Sequence, residues 1–101
     1  MLENKMSQRR RYAVNMVVNG RKIKEVVIDP HYESRHSDID DALIFKLVGY
    51  LNGREFLAEE KDGEWEYFML DRIEHGGKFY RLVWCMGDRS SLIGVINCFR
   101  R

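Results

Sequence analysis

Turn signals cut most of this chain into short β-rich runs, and that punctuation constrains the fold more than any other feature. Tyr12-Ala13-Val14-Asn15-Met16-Val17-Val18 and Ile23-Lys24-Glu25-Val26-Val27-Ile28 flank Asn19-Gly20, a dipeptide that accepts positive φ in a two-residue turn. These runs are expected to pair as a hairpin. Three more, Trp65 to Ile73, Phe79 to Met86 and Leu92 to Phe99, are separated by His75-Gly76-Gly77 and Gly87-Asp88-Arg89-Ser90-Ser91. Connections this short favour antiparallel neighbours.

Between the two groups the pattern changes to a helical one. Asp29-Pro30 suits the cap and first position of a helix, which predicts a short helix from His31 to His36. Ser37-Asp38-Ile39-Asp40-Asp41 supplies a second cap, and Leu43, Ile44, Leu47, Val48 and Leu51 then fall on one apolar stripe. Asn52-Gly53 ends that helix, and Arg54 to Gly63 reads as a charged loop. The expected order is ββααβββ, an α+β domain with two helices packed on one side of an antiparallel sheet. Residues 1–10 lack periodicity and read as a flexible basic tail, leaving residues 11–101 as a single domain.

A composition of 45% hydrophobic and 33% charged residues over 101 positions suits one globular core. No stretch approaches the ~20 uninterrupted apolar residues of a membrane-spanning helix. The N-terminus, charged but without an apolar segment, does not read as a secretory signal. A cytoplasmic protein with no membrane partner is therefore expected. Cys85 and Cys98 fall inside strands and read as reduced structural thiols. Simple alternation places Leu92, Gly94, Ile96 and Cys98 on one face, which predicts a buried Cys98. There is no Gly-rich phosphate loop, zinc-type Cys/His cluster or Gly-x-Ser-x-Gly elbow, so nucleotide hydrolysis, structural zinc and serine hydrolase chemistry lack support. No metal or cofactor is expected.

The formal net charge of +1 hides an uneven distribution. Lys5, Arg9, Arg10, Arg11, Arg21, Lys22 and Lys24 crowd the first quarter, and Arg100 and Arg101 end the chain, so a basic surface forms if the ends meet. The segment richest in chemistry is His31-Tyr32-Glu33-Ser34-Arg35-His36. In a helix, His31 and Arg35 stand one turn apart, with Tyr32 and His36 on the adjacent face. Imidazole moves protons near neutral pH, and an arginine fork holds phosphate oxygens and the charge that builds on them. The plainer alternative is an exposed polar turn, with Arg35 paired to Glu33 or Asp38.

Two strand residues join this list. Arg81 shares a face with Phe79, Val83 and Cys85, opposite Tyr80, Leu82, Trp84 and Met86. Asn97 is expected to share one with Ile93, Val95 and Phe99. A charge or amide among apolar neighbours needs a partner, whether solvent, a core acceptor or a site. Trp65, Tyr67, Tyr80 and Trp84 read as core aromatics before they read as base-stacking platforms.

The pattern resembles the RelE/ParE toxin superfamily and its small BrnT-type relatives, which share the barnase/EndoU/colicin/RelE nuclease fold. The matching features are a strand leading into a His…Arg segment, Val26-Val27-Ile28-Asp29-Pro30-His31-Tyr32-Glu33-Ser34-Arg35-His36, followed by Ile39-Asp40-Asp41 at a second helix. The closing strands, Tyr80-Arg81-Leu82-Val83-Trp84 and Leu92 to Arg100, look alike too, and coverage runs from Tyr12 to Arg101. The chain departs from the family in its extra N-terminal hairpin and its weaker basic charge. The resemblance implies a toxin-like, metal-independent endoribonuclease, with RNA or the ribosome as target and a cognate antitoxin as partner.

In that reading His31 or His36 takes the proton of a ribose 2′-hydroxyl, and Arg35 and Arg81 steady the phosphorane, with Asn97 in the same site. Arg9, Arg10, Arg11, Arg100 and Arg101 would bind the RNA backbone. The alternatives are a non-catalytic module of the same fold that binds a protein through an exposed strand edge, and a small-ligand binder.

Overall fold

The computed structural model describes residues 9–29 and 39–101. β1 (Arg10–Val18) and β2 (Arg21–Ile28) form the expected hairpin. Val18 pairs with Arg21, and Asn19 and Gly20 hold φ of 55° and 73°. Two positive values give a turn that follows the twist of the strands, which is why Asn-Gly is favoured there. α1 (Asp41–Gly49) is capped by Asp40, whose carboxylate accepts the Leu43 N–H at 2.9 Å. Ile44, Leu47 and Val48 of this helix, and Leu51 beyond it, are buried as the apolar stripe requires.

β3 (Glu60–Asp62), β4 (Trp65–His75), β5 (Lys78–Gly87) and β6 (Leu92–Arg100) follow. The strand order is β1-β2-β6-β5-β4-β3, in one six-stranded sheet. Every neighbouring pair is antiparallel except β2 and β6, which run parallel with Val26 opposite Ile93 and Ile28 opposite Val95.

The ββααβββ expectation is therefore corrected. Among the described residues there is one nine-residue helix, the sheet is mixed, and β3 is an additional strand. The helix expected from His31 to His36 lies outside the described residues. Parallel pairing requires a crossover, and here the crossover is all the chain between β2 and β6, so no local pattern announces it. β3 reads as loop because its residues are all charged and all exposed. Only its pairing with Trp65, Glu66 and Tyr67 of β4 makes it a strand.

One face of the sheet packs with α1 into the core. Trp84 is its centre, fully buried, stacked on Phe68 at 5.3 Å between ring centroids and edge-on to Phe56 at 5.2 Å. Tyr80, Leu82 and Met86 of β5 share its face and are also buried, as the alternation predicts.

In β6 the alternation is broken. Val83 pairs with Asn97 but Trp84 pairs with Val95, so Ile96 is an extra residue in a β-bulge. Beyond it the side chains change faces. Cys98 is buried, as expected, but on the core face with Ile93 and Val95 rather than with Leu92, Gly94 and Ile96. Asn97 and Phe99 pair with Val83 and Arg81 on the opposite face, not with Ile93 and Val95.

Both outermost strands carry features that blunt an edge. β3 is short and wholly charged. The end of β1 is covered, because the Gly53 N–H donates to the Val17 carbonyl at 2.7 Å and the Asn19 N–H to the Arg54 carbonyl at 2.9 Å. No helix among the described residues is long and apolar enough to cross a membrane.

Candidate functional site

The face of the sheet away from α1 is uncovered by any other element among the described residues. One row of paired residues crosses all six strands on it: Arg11, Val27, Gly94, Cys85, Tyr67 and Glu60. At ~4.8 Å between strands, Arg11 and Tyr67 stand roughly 19 Å apart. The residues between them are small, and Gly94 is the lowest point. A Cβ at Gly94 would meet the Cys85 Sγ at 3.0 Å, so no side chain fits there without displacing the thiol.

The low floor makes a groove of about 280 Å³, with Arg9, Arg11 and Asp29 at one end, Trp65 and Tyr67 at the other, and Leu92 and Ile96 along its sides. Trp65 lies against Gly87, where a Cβ would come within 3.2 Å of the indole. Trp65 and Tyr67 are half-buried on this face, whereas Tyr80 and Trp84 belong to the core. The four aromatics thus divide between two roles according to which face their strand position gives them.

Strand alternation also splits the three consecutive arginines. Arg9 and Arg11 line the groove. Arg11 Nη1 pairs with Glu25 at 3.2 Å, an exposed contact that water screens, and Arg9 makes no ion pair among the described residues. Arg10 turns to the helix side. Its Nη2 donates to Asp41 Oδ1 at 3.0 Å, and its Nε and the Tyr12 hydroxyl both donate to Asp41 Oδ2. The hydrogen bond to that carboxylate raises the Tyr12 phenol above its ordinary pKa, with burial adding to the effect. Arg10 thus ties β1 to the start of α1 and does not face the groove.

Cys85 forms part of the groove floor. Burial raises its thiol pKa, only partly offset by the Gly94 N–H and the Arg9 charge, so it is a neutral surface rather than a nucleophile. It cannot pair with Cys98, which lies on the other face of the sheet.

The remaining sequence-derived candidates fall elsewhere. Arg81 and Asn97 are on this same open face, on neighbouring strands, beyond the groove. Arg81 Nη2 donates to Asp71 Oδ2 at 3.2 Å, and Asn97 Oδ1 accepts the Cys98 N–H at 2.9 Å. Arg101 Nε pairs with Asp71 Oδ1 at 3.0 Å. Arg100 is exposed opposite Tyr80, on the core side of its strand. His31, Arg35 and His36 lie outside the described residues.

No family model, curated protein or solved structure matches this chain. The site accordingly rests on its geometry. Of the groove residues, the sequence assigned only Arg9 and Arg11 to a site, and Trp65, Tyr67, Gly94 and Asp29 are among those it did not. Alternation along Arg9-Arg10-Arg11 is the one local signal that could have separated the groove arginines from the structural one. The row itself exists only through register.

Proposed function

We propose that the protein binds single-stranded RNA across the open face of its sheet and acts on it as a toxin-like endoribonuclease. The observation that carries the binding is the groove, with the guanidinium groups of Arg9 and Arg11 at one end and two aromatic rings at the other. A single strand offers just these complements, phosphates for arginine and unstacked bases for Trp and Tyr faces. The shallow glycine floor leaves room for a strand to lie across β2, β6 and β5.

The cleavage half of the proposal rests on residue chemistry. His31 and His36 supply a base for the 2′-hydroxyl and an acid for the leaving 5′-oxygen. The O2′–P bond forms as the P–O5′ bond breaks, leaving a 2′,3′-cyclic phosphate. Arg35 stabilises the charge on the phosphorane. In sequence this segment begins two residues after Asp29, a groove residue.

Of the two tryptophans Trp84 is fully buried, so fluorescence quenching by a uridine-rich oligonucleotide reports on Trp65. Quenching should saturate, and the affinity should fall with salt at a slope of about 0.7 per phosphate neutralised. Incubation with single-stranded RNA in EDTA should then yield fragments ending in cyclic phosphate. Saturable binding without cleavage would leave an RNA-binding module, and absence of both would remove the proposal.

A further inference from the structure

We propose that Arg81 and Arg101 form a second phosphate site on the open face, beyond the groove, which the Asp71 carboxylate occupies in the free protein. The inference rests on the RNA-binding reading of that face. Asp71 sits in the β4 bulge between Leu70 and Ile73, where Arg72 adopts φ of 60°. Bulges re-aim side chains, and this one brings the carboxylate opposite Arg81. Asp71 Oδ1 lies 3.0 Å from Arg101 Nε in an ion pair and accepts the Arg72 backbone N–H at 2.9 Å, and Oδ2 accepts Arg81 Nη2 at 3.2 Å.

One carboxylate thus answers two guanidinium groups, while a third, that of Arg72, lies 5.1 Å over the Phe79 ring. The cluster keeps an excess of positive charge. Arg81 gives Asp71 a single N–H and Arg101 only a charge contact, although the fork of arginine binds an oxyanion best with two N–H groups. Arg81 Nε is buried and meets no acceptor among the described residues, an unsatisfied donor in a cationic cluster. A phosphodiester carries the same charge as Asp71 and two oxygens at similar spacing, so it can take over those contacts.

The position fits a continuous strand. Arg81 lies four residues along β5 from Cys85 in the groove, ~13 Å away on the same face, with Val83 and Asn97 between. A trinucleotide held in the groove would not reach it, and a nonamer would. Asp71 is then a built-in competitor that holds the two arginines in place and yields them to RNA.

The test compares wild type, Asp71→Asn and Arg101→Gln for binding of a uridine trinucleotide and a nonamer across a salt series. Asp71→Asn should bind the nonamer severalfold more tightly and steepen its salt slope by up to about 1.4, two contacts at ~0.7 each, with the trinucleotide unchanged. Arg101→Gln should weaken the nonamer alone. If Asp71→Asn is unfolded in a melting scan, Arg101→Gln decides. Measurable nonamer binding of equal strength in wild type and a folded Asp71→Asn protein, or in wild type and Arg101→Gln, would overturn the second site while leaving the groove. Nonamer binding gained only by Asp71→Asn would uphold the second site and remove the groove. No binding by any of the three would remove both.

Discussion

The two faces of one sheet are built from the same strands and differ in almost everything else. On the helix side, Trp84, Leu82, Met86, Ile93 and Val95 are buried with Ile44, Leu47 and Leu51. On the other, the residues one position along, Cys85, Val83, Arg81, Gly94 and Phe99, lie half-exposed beside Arg9, Arg11, Trp65 and Tyr67. The first face supplies the apolar area that holds the fold, and the second is left with side chains that the fold does not need. Arginine and aromatic side chains kept on a surface without a packing role are what a ligand would use.

The comparison can be broken at several strengths. The largest effect is expected on the covered face. Trp84→Ala should cost about 3–5 kcal/mol and Leu47→Ala about 2–4 kcal/mol in urea unfolding, since each leaves a cavity among fully buried neighbours. A loss under about 1 kcal/mol at either would mean that this face is not the core. On the open face, the double change Arg9→Ala and Arg11→Ala should leave the melting curve nearly unmoved. It should weaken RNA binding about tenfold and lower the salt slope by about 1.4. Equal loss of stability would turn the groove arginines into structural ones.

The thiols distinguish the faces chemically. In the native protein a thiol reagent should label Cys85 slowly and Cys98 only on unfolding, because Cys98 is fully buried and Cys85 is half-exposed with a raised pKa. Labelling of Cys85 should accelerate as the pH rises through that raised value. Cys98 modified first would place the two on the wrong faces.

The smallest effect concerns acid. The hydrogen bond from Arg81 holds the Asp71 carboxyl below its ordinary range, opposed by some burial and helped by Arg101 and the Arg72 N–H. A depressed folded pKa gives a contribution that is complete above the unfolded value of about 4 and is lost as pH falls through the folded one. Asp71→Asn should therefore flatten the acid limb of stability below about pH 4, with its small loss relative to wild type fully present at pH 7 and vanishing as the pH falls. A flattening at neutral pH instead would assign the effect to another group.

Local chemistry was legible wherever a few adjacent residues sufficed. Asn19-Gly20 specifies its turn, Asp40 its cap, and the Ile44, Leu47, Val48 and Leu51 stripe its buried side, each within one turn or hairpin. Alternation along β5 correctly set Arg81, Val83 and Cys85 against Leu82, Trp84 and Met86. In β6 the same rule failed at Ile96, because a bulge depends on what the neighbouring strand offers and not on the bulged sequence alone.

What the sequence by itself determined was therefore the inventory of turns, one helix and the apolar face of each regular strand, since these follow from backbone preference and periodicity over a few residues. Only the tertiary structure decided that β2 and β6 run side by side in parallel, and from that pairing comes everything at the site. It brings Val27 beside Gly94 and so joins the arginines of the first hairpin to the aromatics of β4 across Cys85. Strand order is chosen by which apolar faces can be covered together, a property of the assembled core that no single segment carries.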